Sequence, residues 1–361
     1  MKKLLFGLLF SLFATGMIST AAIAQNDSPG SVCAMTNATD DNQLLCYQRN
    51  AKGILSDSVL ISTGGQGSGG GLDPLGSQGS LIFSPNGMWL LAVNAGSDDI
   101  SVFRTLSNGP VPVELSDSGG DFPVSITIFH NLVYVLNGGT DPNITGFFID
   151  HAGQLTPIPG STRNLGSGAF AQIGFDPRGG KLVVTDRGEK EILVFGVEND
   201  GTPSATPVIT TSSGDVPFGF IFNQDHLLVS EAGSGAVTSY EILPDLTLQI
   251  LSESVANGQV ATCWIDGNSQ YAFTANTGSS NISSYSVKRG HGTIELVDAM
   301  AGYGNLDIDI SITPNGRFLY ALNAGSGTIG MFRIEADGSL EDLGMADEVL
   351  LEIFTQGIAA N

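Results

Sequence analysis

Apolar and polar residues alternate along this chain in short runs, and the runs return at regular intervals. "WLLAVNAGSDDISVFR" (89–104), "LVYVLNGGTDPNITGFFI" (132–149) and "FLYALNAGSGTIGMFRI" (318–334) share one layout: an apolar run, a polar residue, a turn of small residues, and a second apolar run. Looser copies are "KLVVTDRGEKEILVFGV" (181–197), "HLLVSEAGSGAVTSYEI" (226–242), "YAFTANTGSSNISSYSV" (271–287) and, first in the chain, "SVCAMTNATDDNQLLCYQR" (31–49). The shared polar position falls at Asn37, Asn94, Asn137, Asp186, Glu231, Asn276 and Asn323. Successive positions lie roughly 43–49 residues apart, with one longer first interval of about 57, and a period of 40–50 residues is that of a radial array of sheets.

Each unit reads as four strands. A short apolar strand such as "SLIFS" or "DISIT" ends in a turn like Ser84-Pro-Asn-Gly87 or Thr313-Pro-Asn-Gly316. A second strand climbs to the shared polar residue and a third leaves it; a turn ending in Gly (Gly109, Gly153, Gly201, Gly338) leads to a more polar fourth. Gly tolerates positive φ and Pro presets φ, so these residues mark the turns. No segment carries a sustained helical period with caps. The expected fold is all-β: a seven-bladed β-propeller over residues 31–361, with four-stranded antiparallel blades. Blade one has no inner strand of its own, because Ser31 enters directly at the second strand. "TQGIAAN" (355–361) supplies one, so the tail is expected to pair into blade one and remove the open edge.

Before the propeller, Lys2 and Lys3 precede the apolar run Leu4–Ala14, and small residues end at Ala22-Ile23-Ala24. That layout is a secretory signal peptide over 1–24 cleaved near Ala24, with 25–30 as a short linker, which predicts a periplasmic or secreted protein. The run is too short to span a bilayer, which takes about 20 apolar residues.

Composition narrows the partners. The formal net charge is −22, charged residues are 14% of the chain, and Gly numbers 48. A field of that sign repels nucleic acid, anionic lipid and anionic small molecules. The expected partner is a small molecule or a protein at the face carrying the second-to-third-strand turns, here the top face, with no nucleic acid, no membrane and a monomeric state.

Of the three Cys, Cys33 and Cys46 flank a hairpin centred near Thr39-Asp40 and face each other across it. Opposed Cβ atoms there are about 4.5–5.5 Å apart, which allows either a cross-strand disulfide or two small buried side chains. Cys263 lies in a strand-like run and reads as buried.

The stretch "GGQGSGGGLDPLGSQG" (64–79) contains a literal G-x-G-x-x-G at Gly65, Gly67 and Gly70. A strand follows it, not the helix whose N-terminus a dinucleotide fingerprint requires. It reads instead as an enlarged top-face crossing from blade one to blade two, near the axis, able to cover or line a pocket.

These repeats, with "MTNATDDN", "GGGLDPLGSQGSLIFSPNG", "NITGF" and "GQLTPIPGSTR", resemble the lactonase-like seven-bladed propellers: the 6-phosphogluconolactonases and the 3-carboxymuconate cyclases. The repeat is also similar to that of YVTN-type surface propellers. The resemblance implies a site faced by a His of blade three, Pro-Arg-His and Asn-Glu of blade four, and an Arg of blade six. Here "FPVSITIF" has no His; Phe170, Ala171 and Gln172 stand in place of Pro-Arg-His; Asp186 stands near the Glu; and Trp264 takes the Arg position.

Lactone opening needs a base and a positive or hydrogen-donating group for the developing oxyanion. The candidates are Asp186 or Glu231 as base and the amides of Gln78 and Gln172 as donors. Asp307 and Asp309 alternate at the start of an inner strand, which would point both the same way about 7 Å apart. With Asp186 and Glu231 they could ring the channel mouth and hold a cation; no cofactor or metal set is otherwise written in the chain. The ring of Asn94, Asn137, Asn276 and Asn323 completes the candidate ligand-binding set. Two functions follow: a binding propeller with a non-classical or absent catalytic site on its top face, or a lactonase or muconate-type cyclase acting on an uncharged lactone.

Overall fold

The computed structural model describes residues 28–346 and 355–361; the expected leader over 1–24 lies outside them. Seven antiparallel sheets follow one another along the chain. Blades two and four to seven are four-stranded meanders, for example Leu81–Phe83, Trp89–Asn94, Asp99–Leu106 and Gly109–Asp117 in blade two. In blade three the outer strand is broken into Leu155–Pro157 and Arg163–Asn164. Pro157 and Pro159 interrupt it because neither can donate to a ladder.

Blade one is completed by the tail. Ile358–Ala360 pairs antiparallel with Gly30–Met35, in the register Val32↔Ala360, Cys33↔Ala359 and Ala34↔Ile358. The tail residues are held further by Met35 N–H to Gly357 O (3.0 Å), Asn361 N–H to Ser31 O (2.8 Å), and Arg49 Nε and Nη2 to Asn361 O (3.2 and 3.0 Å). Cys33 and Cys46, opposite each other in the register of the next strand pair, are joined as a disulfide.

The core lies between blades. Second strands are buried almost throughout, as in Trp89–Asn94 and Phe318–Asn323, and third strands through their middle, because neighbouring blades cover both faces of each sheet. Outer strands are half exposed, as the more polar fourth run implies. Among the described residues no helix is long and apolar enough to cross a membrane.

Inner strands present a row of inward backbone N–H groups with no further strand to pair them. Side chains of the preceding blade satisfy several. Ser125 Oγ and Thr127 Oγ1 accept from Ile173 and Phe175 N–H, and Ser311 Oγ accepts from Ala360 N–H (3.0 Å). A belt of polar side chains therefore runs around the axis, and its members are placed by the need to satisfy edge donors.

Candidate functional site

The recurring polar residue of each blade sits where the second strand ends, and in every case it is buried. Asn94 Oδ1 accepts from Asn42 Nδ2 and Thr63 Oγ1, while its Nδ2 donates to Asp99 Oδ1 and Ser101 Oγ. Asn276 repeats that pattern with Asn257, Thr262, Asn281 and Ser283. Asn137 Nδ2 donates to Ser118 O and Asn143 Oδ1; Asn323 Oδ1 accepts Asn305 N–H, and its Nδ2 donates to Thr328 Oγ1. Each residue buckles its own turn to the crossing segment that arrives from the blade before.

The two proposed bases belong to the same set. Asp186 Oδ1 accepts the N–H groups of Ala169, Gly188 and Glu189. Glu231 Oε1 accepts Gly214 N–H (2.7 Å) and Thr238 Oγ1–H (2.6 Å), and Oε2 accepts Ser254 Oγ–H (2.7 Å). The expectation of an open top-face ring of Asp186, Glu231 and the asparagines is thus corrected: these groups are buried and committed to turn backbone and hydroxyls. Asn37 and Asn281, each opening an N-x-[ST] triplet that could accept a glycan in a glycosylating host, are likewise buried.

The glycine stretch closes the top of the axis. Its C-terminal half descends into the channel mouth and touches three blades and the tail. Ser77 Oγ donates to Val124 O (2.7 Å) in blade three, and Gln78 N–H donates to Ala171 O (3.0 Å) in blade four. Trp264 Nε1–H donates to Ser77 O (2.9 Å) from blade six. The Gln78 amide pairs with Ile265 at both ends, Nε2 to O (2.8 Å) and Ile265 N–H to Oε1 (2.9 Å). From the tail, Gln356 Oε1 accepts Leu75 N–H, and its Nε2 donates to Ser77 O and Asp73 Oδ1. Leu75, Ser77 and Gln356 are fully or almost fully buried.

The glycines serve this path. A Cβ on Gly67 would stand 2.2 Å from the Asn37 carbonyl carbon, and Gly70 has φ +105°. Close approach and a left-handed backbone, not phosphate binding, account for the G-x-G-x-x-G. Trp264, at the position where the resemblance implies an arginine, is an anchor of this plug.

Below the plug the axis opens into a funnel of about 620 Å³ that widens toward the face of the inner-to-second-strand turns, with Pro85, Asn86, Pro314 and Asn361 at its mouth. Gln78 and Gln172 form part of its upper wall, and Ile82, Phe83 and Ile221 supply apolar surface. Both amides are already engaged: Gln172 Oε1 accepts Phe220 N–H (2.6 Å), and Nε2 donates to Phe220 O (3.1 Å).

Two carboxyls reach this funnel, Asp266 of blade six and Asp309 of blade seven. Asp266 accepts Ile312 N–H (2.6 Å) and Gly267 N–H (2.7 Å). Burial pushes its carboxyl up to about 6 against those two bonds. Asp309 accepts Ile310 N–H (2.9 Å) and Ile358 N–H (3.2 Å), so it also latches the closing strand. Burial raises it well above the ordinary carboxylate range, and the negative charges of Asp266 and Asp73 raise it further.

Asp307 and Asp309 do not point alike. The ladder slips between Asp307 and Ile310, and Asp309 takes φ 153°, so the expected alternation is broken. Asp307 is fully buried away from the funnel, and burial lifts it to about 7.

The sequence reading passed over Asp266, Asp73, Arg187 and Gln356. Asp266 had a visible signal, since it lies two residues after Trp264 in a strand. Asp73 is lifted by burial to about 7, held back by the Arg187 guanidinium and the Gln356 amide. Arg187 lies 6.0 Å above the Phe218 ring. It is a top-face cation immediately after Asp186 that no motif announced. Among the described residues no three His, Cys, Asp or Glu side chains converge to hold a metal ion.

Comparison with known proteins agrees with this architecture. A family model described as "Lactonase, 7-bladed beta-propeller" matches residues 246–349. A curated 6-phosphogluconolactonase of Formosa agariphila is 25% identical over 304 residues, which is 75% of this chain and 86% of that protein. Among solved structures, the periplasmic gluconolactonase PpgL of Pseudomonas aeruginosa superposes with a TM-score of 0.72 at 15% identity, covering 92% of this chain and 99% of its own. A putative 6-phosphogluconolactonase of Bacteroides fragilis gives 0.69 at 19% identity, covering 94% and 99%. At such identities the structural likeness is one of fold.

Proposed function

We propose, from the premise that this chain is a lactonase-like seven-bladed β-propeller, that it is an exported small-molecule-binding protein whose site is the axial funnel and not the top face. One observation carries the reading: residues 73–78 and Trp264 occupy the top of the axis, leaving the funnel as the large concave space on it. Its lining includes Asp266 and Asp309 and no Lys, Arg or His, which disfavours phosphorylated lactones and favours uncharged or cationic ligands. The names of the relatives suggest 6-phosphogluconolactone as the first substrate to try. The expected result is neither binding nor turnover of it, measured by calorimetry and by acid release. Hydrolysis of that lactone at an enzymic rate would sink the reading.

A second reading, hydrolysis of an uncharged lactone, is favoured by the Asp266–Asp309 pair, because two nearby carboxyls with raised proton affinities can serve as acid and base. Turnover of gluconolactone that is lost in Asp309→Asn would establish it over simple binding. Export rests on the first 24 residues. The protein recovered from a producing cell's periplasm or medium is expected to begin at Gln25 by N-terminal sequencing; an intact Met1 on the mature protein would refute cleavage.

A further inference from the structure

The geometry points to a small organic cation, a protonated or quaternary amine, as the ligand of the axial funnel; this rests on the funnel being the binding cavity. The wall carries two carboxyls, the aromatic side chain of Phe83 and no basic side chain. Carboxylates attract an ammonium, and aromatic faces add a cation–π contribution that strengthens when water is excluded. The charge of the whole chain, −22, gives the same sign of field at long range.

The charged groups around the pair act in one direction. Asp266 and Asp73 add negative charge at Asp309, while the Arg187 guanidinium lies beside Gly76 of the plug and acts on Asp73. Arg49 is held outside the funnel wall by the backbone oxygens of Ser28, Asn50 and Asn361. No cation of the described residues therefore compensates Asp266 and Asp309 inside the funnel. When these carboxyls ionise they are poorly solvated and mutually repulsive, and a ligand that brings a positive charge relieves both costs. A neutral lactone relieves neither, and an anion makes both worse. The apolar surface of Ile82, Phe83 and Ile221 suits alkyl substituents on the cation, with the acidic groups set among them.

The test uses three probes on the mature chain: choline, its uncharged isostere 3,3-dimethylbutan-1-ol, and gluconate. Calorimetry at pH 8 is expected to show choline binding at least about tenfold tighter than the isostere, with no gluconate binding. Choline should raise the melting temperature more at pH 8 than at pH 5, because the carboxyls are protonated at the lower pH. In Asp309→Asn the preference for choline over the isostere should fall about tenfold. Equal affinity for choline and the isostere would overturn the charge inference and leave the funnel reading standing. The same holds for choline binding that is strongest at pH 5. Failure of choline to bind, or a preference for gluconate, overturns the inference outright.

Ile82→Trp fills the funnel, and choline binding that survives it would overturn the funnel reading itself. Should that variant not fold, saturation transfer from protein aromatic protons to the choline methyl protons makes the same distinction in the wild-type chain. Transfer is expected, and its absence in a bound complex would remove the ligand from the wall at Phe83.

Discussion

Deleting residues 355–361 is expected to leave a chain without a cooperative melting transition. The deletion removes the inner strand of blade one, whose Ile358, Ala359 and Ala360 are 4%, 4% and 7% exposed, and the fully buried Thr355 and Gln356. It breaks the ladder to Gly30–Met35 and the bonds from Met35, Asn361 and Arg49. It also frees the acceptors of Asp309 and Ser311 from the closing strand and releases the plug from Gln356. Each net backbone hydrogen bond is worth about 1 kcal/mol, and full burial of one Ile adds about 1.5–3 kcal/mol. The sum is on the order of 5–10 kcal/mol, comparable to the entire stability of an ordinary domain. Circular dichroism and scanning calorimetry would read the outcome. A truncated chain that melts like the full one would show that the ring does not depend on its tail. Gln356→Ala separates the two roles of the tail: it loosens the plug while leaving the closing ladder intact, and should lower the melting temperature without abolishing the transition.

Acid should stabilise this protein, and neutral pH should weaken it. Asp73, Asp266, Asp307 and Asp309 all have their carboxyls raised in the folded state, the first three to about 7, 6 and 7. A group whose folded value exceeds its unfolded one binds its proton more tightly when folded. Its stabilising contribution is complete below the unfolded value near 4 and is lost as pH rises through the folded value. The window is therefore pH 4 to about 7, and the melting temperature should fall across it. For Asp266 alone the difference of roughly two pH units corresponds to about 3 kcal/mol, as an order of magnitude.

Surface carboxyls such as Asp150, Asp200 and Asp245 are lowered by turn N–H and hydroxyl groups, so they favour the folded state above pH 4 and oppose the trend only at stronger acid. The expected rise from pH 8 to pH 5 is on the order of 5–10 °C. Asp309→Asn should flatten the curve by lowering the melting temperature most at pH 5, because it removes the raised carboxyl and its amide nitrogen cannot accept the second of the Ile310 and Ile358 N–H groups. A melting temperature that is flat or rising between pH 5 and 8 would contradict this account. The same carboxyls connect stability to the proposed ligand, since a bound cation would compensate the charges that neutral pH exposes.

How far the chain could be read without its structure varies from residue to residue. The seven units were legible because each carries its own turn chemistry and strand period, both local properties. Ring closure was legible by subtraction: blade one begins at its second strand, and the tail is a strand without a blade. The broken outer strand of blade three was not foreseen, although its cause is local: Pro157 and Pro159 cannot donate to a ladder.

The site is different in kind. An Asn or Glu at a turn reads equally well as a ligand group or as a buckle, and nothing within one repeat distinguishes them. The crossing segment of the preceding blade decides it, by delivering the donors and acceptors that bury Asn94, Asn276 and Glu231. Asp307 and Asp309 were separated by one slip of the ladder, which alternation along a strand cannot foresee.

Local pattern by itself determined the repeated sheets, their number, the closing strand and the place of the glycine stretch between blades one and two. The tertiary structure alone decided that residues 73–78 plug the axis, that the proposed bases are turn buckles, and that Asp266 and Asp309 share a funnel. The physical reason is range. Strand period and turn preference act over a few residues, whereas burial, hydrogen-bond satisfaction and proton affinity at the axis are set by groups from several blades that meet only when the ring closes.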